Sequence, residues 1–170
     1  MTSSVTIRPA TANDQTEIRT AVMRNNLNLL GLSWQSFSVA VDTDGHFVGC
    51  GQIKSHADIE ELASLVVADA WQGQGVSNLL IEVLLDRADR ALWLMCESPL
   101  VGYYNKFDFA EIKDPQKLPP LSFRGVHWMT GFPLGFMFFM RGTYIAFMVL
   151  TRNKRTGVKP ARRSLQPLHR

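Results

Sequence analysis

Residues 72 to 77 read Gln72-Gly73-Gln74-Gly75-Val76-Ser77, and they join an apolar run to an amphipathic helix. The run before them, Leu62-Ala63-Ser64-Leu65-Val66-Val67, is short and aliphatic and reads as a buried strand. After them, Val76, Leu79, Leu80, Val83 and Leu84 recur at helical spacing, so one face of a helix starting near Gly75 is apolar. A strand that feeds a glycine-bearing turn and then a helix start gathers unpaired backbone N–H groups at the positive end of the helix dipole. That arrangement is an anion site, suited best to phosphate. Gly73 and Gly75 let a ligand approach the backbone where side chains would block it. The loop is not a Walker loop, since no Gly-Lys-Ser/Thr follows, and it lacks the third glycine of the dinucleotide fingerprint. A plain strand-to-helix connection is the alternative reading of the same six residues.

The surroundings sharpen the choice. Glu61-Leu62-x-x-Leu65-x-Val67, then Gln72-Gly73-x-Gly75-x-Ser77, then Leu79-Leu80, resembles the acyl-CoA-binding motif of the GNAT superfamily of N-acetyltransferases. Gln72 takes the first place of its Arg/Gln-x-x-Gly-x-Gly/Ala pattern, Gly75 the middle one, and Ser77 stands where Gly or Ala is usual. Ile7-Arg8-Pro9-Ala10 followed by Asn13-Asp14 resembles the superfamily's opening strand and first helix. Tyr104-Asn105-Lys106-Phe107-Asp108-Phe109 resembles its Tyr-x-Lys-x-Gly-Phe segment.

The resemblance implies acetyl-CoA as donor, no metal, and an amine acceptor. An alkyl ammonium is only about one part in a thousand neutral near pH 7.4, a deficit of about 4 kcal/mol, so a base or water must take its proton. Glu61 stands eleven residues before Gln72, the position of the base glutamate in some histone-acetylating members. Glu60 would face the other side of the strand. The bland alternative is that one or both are solvated strand-start carboxylates. Tyr104 matches the tyrosine that resembling enzymes place near the thioester sulfur as general acid, and Tyr103 is expected to be a packed aromatic. Leu65, Val66 and Val67 would act through their backbone, by pairing with pantetheine and polarising the thioester carbonyl. Gln72, Gly73, Gln74, Gly75, Val76 and Ser77 would hold the pyrophosphate. Two residues depart from the pattern. Asp108 replaces a glycine at an expected left-handed turn, and Glu97 stands where many members have an asparagine near the cofactor.

The elements that must position these residues follow from turn chemistry and periodicity. Strands are expected over Val5–Pro9, Phe37–Val41, Phe47–Lys54, Ile59–Val67, Ala91–Cys96, Phe109–Ile112 and Thr143–Thr151. Asp42-Thr43-Asp44-Gly45 makes the second and third of these a hairpin. Helices are expected after Asp14-Gln15-Thr16-Glu17 as a capping arrangement, over Gly75–Ala88, and briefly over Pro99–Lys106. The fold class is therefore α/β (α+β): one GNAT-like domain, with a central, mostly antiparallel twisted sheet of about six to seven strands flanked by helices.

At 170 residues, 46% hydrophobic and 19% charged, the chain is one globular domain by length and composition. The domain is expected to span residues 1–151, with 152–170 a flexible basic tail. Seven of the 18 basic residues lie in that tail and no acidic one does, leaving 11 basic against 15 acidic residues in the body. The pI of 9.1 therefore belongs to the tail. Cys50 and Cys96 read as buried reduced thiols, and no signal peptide opens the chain, so a cytoplasmic location or an organelle stroma is expected. His46, His56, His127 and His169 have no metal-ligand spacing. Trp128–Leu150 approaches the length of a membrane span, but Pro133 and Arg141 argue against one; a core strand with a hydrophobic loop is expected, an oligomer or acceptor-site surface being the alternative. The chain is thus read as an N-acetyltransferase with an amine substrate, no specific nucleic acid and a homodimer as one option. The rival is a non-catalytic acyl-CoA-binding or regulatory module of the same fold.

Overall fold

The computed structural model describes residues 4–57, 59–117 and 144–150. The expectations for the basic tail and for residues 128–143 of the hydrophobic segment lie outside them. Seven strands form one sheet in the order β1-β2-β3-β4-β5-β7-β6. They are β1 (Thr6–Pro9), β2 (Phe37–Val41), β3 (Phe47–Ser55), β4 (Ile59–Val67), β5 (Ala91–Glu97), β6 (Phe109–Glu111) and β7 (Ile145–Leu150). The helices are α1 (Gln15–Arg24), α2 (Val76–Arg87) and α3 (Val101–Asn105). Among the described residues, no helix is long and apolar enough to cross a membrane. The chain divides into two compact units, one within Met1–Lys54 and Leu62–Ala88, the other within Ser55–Glu61 and Asp89–Thr156.

The first unit is a layered core. β1 pairs antiparallel with β2, and β2 with β3. Successive residues of β2 face opposite ways, and both faces are covered, so all five are buried. Phe37, Val39 and Val41 pack with Ile18 and Val22 of α1, with Cys50 and with Val66. Ala40 packs on the other face with Val5, Val48, Val76 and Leu80. The buried residues of α2 are Val76, Leu80, Ile81, Leu84 and Leu85. The stripe is thus rotated from the expected one, since Leu79 and Val83 are only half-buried. The β2–β3 turn forms as anticipated, with Asp42 Oδ1 accepting the N–H groups of Asp44 and His46 at 2.9 and 2.8 Å and Gly45 at φ +86°.

The capping expected from Asp14 to Glu17 is replaced by a different one. Thr11 donates to Asp14 Oδ2 through both N–H (2.6 Å) and hydroxyl (2.8 Å). Arg8, reaching from β1, grips both carboxylate oxygens at 2.8 Å. A bidentate guanidinium outcompetes an intrahelical cap because both partners are charged and planar.

In the second unit, β7 pairs antiparallel with β5 and with β6. Leu92, Leu94, Ala146, Met148 and Phe109 are buried there. Asp108, between α3 and β6, has φ +65°, the left-handed conformation anticipated where the family pattern has glycine.

Two stability measurements test this account. Asp14→Asn should destabilise the fold by about 1–2 kcal/mol at neutral pH. Hydrogen bonds from Arg8 and Thr11 hold the Asp14 carboxyl well below the usual carboxylate range. Its stabilisation is therefore complete above about pH 4, the unfolded value, and is lost as pH falls below that. The gap between variant and wild type in urea melts should narrow from pH 7 to pH 2; a constant gap would show that the ion pair contributes nothing. Asp108→Gly should raise the urea midpoint by the equivalent of about 0.5–1 kcal/mol, whereas Asp108→Val should lower it.

Candidate functional site

β4 ends at Val67, a short 3-10 turn covers Asp69–Trp71, and the loop then turns through two left-handed glycines into α2. Gly73 has φ +74° and Gly75 φ +82°. A Cβ on either would meet nothing within 4 Å. Backbone conformation, not crowding by the protein, thus requires glycine here, and the space beside both residues is open. The first intrahelical bond of α2 runs from Leu79 N–H to Gly75 O at 3.2 Å. Among the described residues, the N–H groups of Gly73, Gln74, Gly75 and Val76 meet no acceptor. The two glutamines brace the loop from within. Gln72 Nε2 donates to Val67 O at 3.2 Å and to Asp69 Oδ1 at 3.0 Å, and Gln74 Nε2 donates to Ala70 O at 2.8 Å. Ser77 is half-buried in the first turn of α2.

Leu65, Val66 and Val67 lead into this loop, and Gln72 ties the loop back to Val67. Just before them Ser64 has φ +52°, a left-handed residue inside a strand. Its hydroxyl accepts a bond from Gln52 Nε2 at 2.9 Å. Cys50 is buried and its thiol is pushed up to about 12 by burial, so it stays protonated, with Sγ 3.9 Å from Ser64 O.

Glu60 and Glu61 are not solvated, because only 6% and 4% of their surfaces are exposed. Glu60 accepts the N–H groups of Asp89 (2.7 Å) and Arg90 (3.1 Å), with Arg90 Nε 3.9 Å away. It serves as a structural latch at the start of β5. Glu61 Oε2 lies 3.0 Å from Nε2 of His56, itself mostly buried. A carboxylate with so little solvent requires such a partner, since burial of an uncompensated charge is unfavourable by several kcal/mol. Sequence spacing missed His56. The cue was the tight β3–β4 turn, where His56 N–H bonds Ile59 O at 2.9 Å and swings the imidazole over Glu61.

Tyr104 is 9% exposed. Its ring meets Phe109 edge-on at 6.2 Å and Tyr103 at 5.3 Å. Burial raises its hydroxyl pKa above the ordinary value, with Cys96 and Tyr103 adding to the shift. Among the described residues its hydroxyl has no hydrogen bond, so it keeps its donor capacity. Tyr103 is half-buried, packs edge-on to Phe107 at 5.5 Å and carries Lys106 Nζ 5.8 Å from its ring centre. Glu97 is exposed at the end of β5.

Two other features were not anticipated. Asp42, Asp44 and His46 have ligand atoms within 4.8 Å of one another, but Asp42 is already engaged by the hairpin turn that contains all three. An open depression of about 620 Å³ lies beside α1, lined in part by Gln15, Leu32 and Trp34. The Gln15 amide there bonds Leu32 O at 2.9 Å and Trp34 N–H at 3.0 Å.

Comparison with known proteins agrees with the sheet. A family model described as an acetyltransferase (GNAT) domain matches residues 10–123. N-acetylglutamate synthase from Neisseria gonorrhoeae, complexed with coenzyme A and N-acetyl-glutamate, is similar at TM-score 0.64 and 21% identity, over 87% of this chain and 35% of its own. The present chain thus spans about a third of that protein's length. Rv2747 from Mycobacterium tuberculosis, in complex with CoA and NLQ, gives TM-score 0.64 and 22% identity over 85% and 98% of the two chains. NAA60 from Arabidopsis thaliana, with a bisubstrate analogue, gives 0.53 and 15% over 64% and 85%. At these identities the likeness is one of fold. Among curated protein sequences, none matches the chain. With the family model covering more than half of its length, the chain belongs to the GNAT family of acetyltransferases.

Proposed function

We propose that the protein transfers an acetyl group from acetyl-CoA to a primary amine by direct attack. The observation that carries this reading is the Gln72–Ser77 loop. Left-handed glycines, open space beside them and unpaired N–H groups occur together at a helix start, which is what a pyrophosphate needs. Leu65, Val66 and Val67 would offer backbone groups to the pantetheine and to the thioester carbonyl. The amine nitrogen attacks the carbonyl carbon, the C–S bond breaks, and CoA departs as a thiolate that must be protonated. Glu61, backed by His56, would accept the amine proton directly or through water. Amino acids open the list of acceptors, because N-acetylglutamate synthase, similar in fold, was seen with N-acetyl-glutamate.

Tyr104 would donate to the departing sulfur. A phenol whose pKa burial has raised is a poor acid toward an ordinary thiolate. Its contribution is therefore chiefly a hydrogen bond that strengthens as charge develops on sulfur; the proton it passes to the thiolate as CoA leaves is replaced from water.

Acetyl-CoA should raise the melting temperature by mass action. Gly75→Glu should abolish the shift by adding bulk and negative charge at the phosphate position. Gly75→Asn, which tolerates the left-handed conformation, should keep more of it. An undiminished shift in folded Gly75→Glu would remove the loop assignment. Turnover is then followed by CoA release across amino acids, arylalkylamines, polyamines and protein amines; binding without turnover on any of them would favour the non-catalytic module. With an active acceptor, Tyr104→Phe should lower kcat by about 10²-fold, the low end for such catalysis, while acetyl-CoA affinity holds. Tyr103→Phe should do little, and equal losses in both would indicate a packing effect instead.

A further inference from the structure

Ser64 adopts φ +52° in the middle of β4, a conformation that a non-glycine residue enters only when its neighbours compel it. β3 makes room for it on one face and bonds it on the other. On one face stand Gly49 and Gly51. A Cβ on Gly49 would lie 2.5 Å from the Val66 carbonyl oxygen and 3.2 Å from Val67 Cα. These are backbone atoms and cannot step aside. A Cβ on Gly51 would lie 2.7 Å from Leu84 Cδ1 and 3.1 Å from Leu65 Cδ1. The Val66–Val67 backbone of β4 therefore fills the volume that a side chain at Gly49 would need, while Leu84 of α2 and Leu65 fill that beside Gly51.

On the other face the alternate residues Cys50 and Gln52 reach Ser64. Gln52 is fully buried, donates its amide N–H to Ser64 Oγ at 2.9 Å, and leaves its Oε1 without a partner. A buried glutamine with an unsatisfied carbonyl is unfavourable on its own account. Its place in the core is explained by the bond it makes to Ser64.

We propose that Gly49, Gly51 and Gln52 form a clamp that holds Ser64 left-handed and so sets the position of the Leu65–Val67 backbone against acetyl-CoA. Gln52 and the two glycines are positioning residues, acting through β4. The inference rests on the acetyl-CoA reading above.

The test compares two variants of one residue. Ser64→Ala and Ser64→Gly both remove the hydroxyl, but only glycine takes the left-handed conformation unaided. Acetyl-CoA affinity is measured by calorimetry, alongside its KM and kcat. Ser64→Ala should weaken acetyl-CoA binding about tenfold, the scale of one lost buried hydrogen bond, and raise KM more than it lowers kcat. Ser64→Gly should bind several-fold tighter than Ser64→Ala. Gln52→Leu keeps apolar volume in a buried place, and gives a second route should Ser64→Ala not fold. It should weaken binding when Ser64 is present and have little further effect in the Ser64→Gly background. Equal affinities for Ser64→Ala and Ser64→Gly, or an equal Gln52→Leu effect in both backgrounds, would overturn the clamp and leave the acetyl-CoA reading standing. Absence of acetyl-CoA binding by the wild type would overturn both.

Discussion

A strand that carries a left-handed residue in its middle needs neighbours that make room for it, and the glycines of β3 supply that room. The Val66 carbonyl sits where a side chain on Gly49 would stand. The same strand bears Glu61 before Ser64 and the Leu65–Val67 backbone after it, and it runs directly into the loop that Gln72 ties back to Val67. A shift of β4 by a few tenths of an ångström would move carboxylate, backbone and loop together. Cores are close-packed and do not deform continuously, so such a strand has one well-defined position.

Charge in this molecule follows a consistent logic. Among the described residues each buried carboxylate has donors assigned to it: Arg8 and Thr11 for Asp14, the Asp89 and Arg90 N–H groups for Glu60, the His56 imidazole for Glu61. Leaving any of them uncompensated would be unfavourable by several kcal/mol, a large part of the net stability of a domain this size. The Gln72–Ser77 loop is the opposite case. Its N–H groups meet no acceptor among the described residues, and the space beside its two glycines is open, so a phosphate could bond them. Of these polar groups, the loop's N–H donors are the ones left for a ligand.

Tyr104 joins these themes. Its ring contributes to the packing of α3 on β6, and its hydroxyl is kept neutral by the same burial. A neutral phenol would suit the role proposed for it, because it could stabilise charge that appears only during the reaction without adding one of its own beforehand.

The elements were legible in the sequence wherever local chemistry decides. Asp42-Thr43-Asp44-Gly45 announced the β2–β3 hairpin because its residues favour the turn by themselves. The strand, glycine-bearing turn and helix start of the loop were legible in the same way, and the bounds of β4 came out as Ile59–Val67. Asp108 stood where the family pattern has glycine, and it is left-handed. Tertiary structure decided the partners. Arg8 and Thr11 took Asp14 from the cap expected of it, Glu60 and Glu61 were separated into a latch and a histidine-paired carboxylate, and Leu85 and Ile81 displaced Leu79 and Val83 as the buried side of α2. Nothing local marked Ser64 as left-handed, for its conformation depends on Gln52 and Gly49 in another strand. A side chain's identity states which bonds it can make; which group it meets depends on how distant segments close around it.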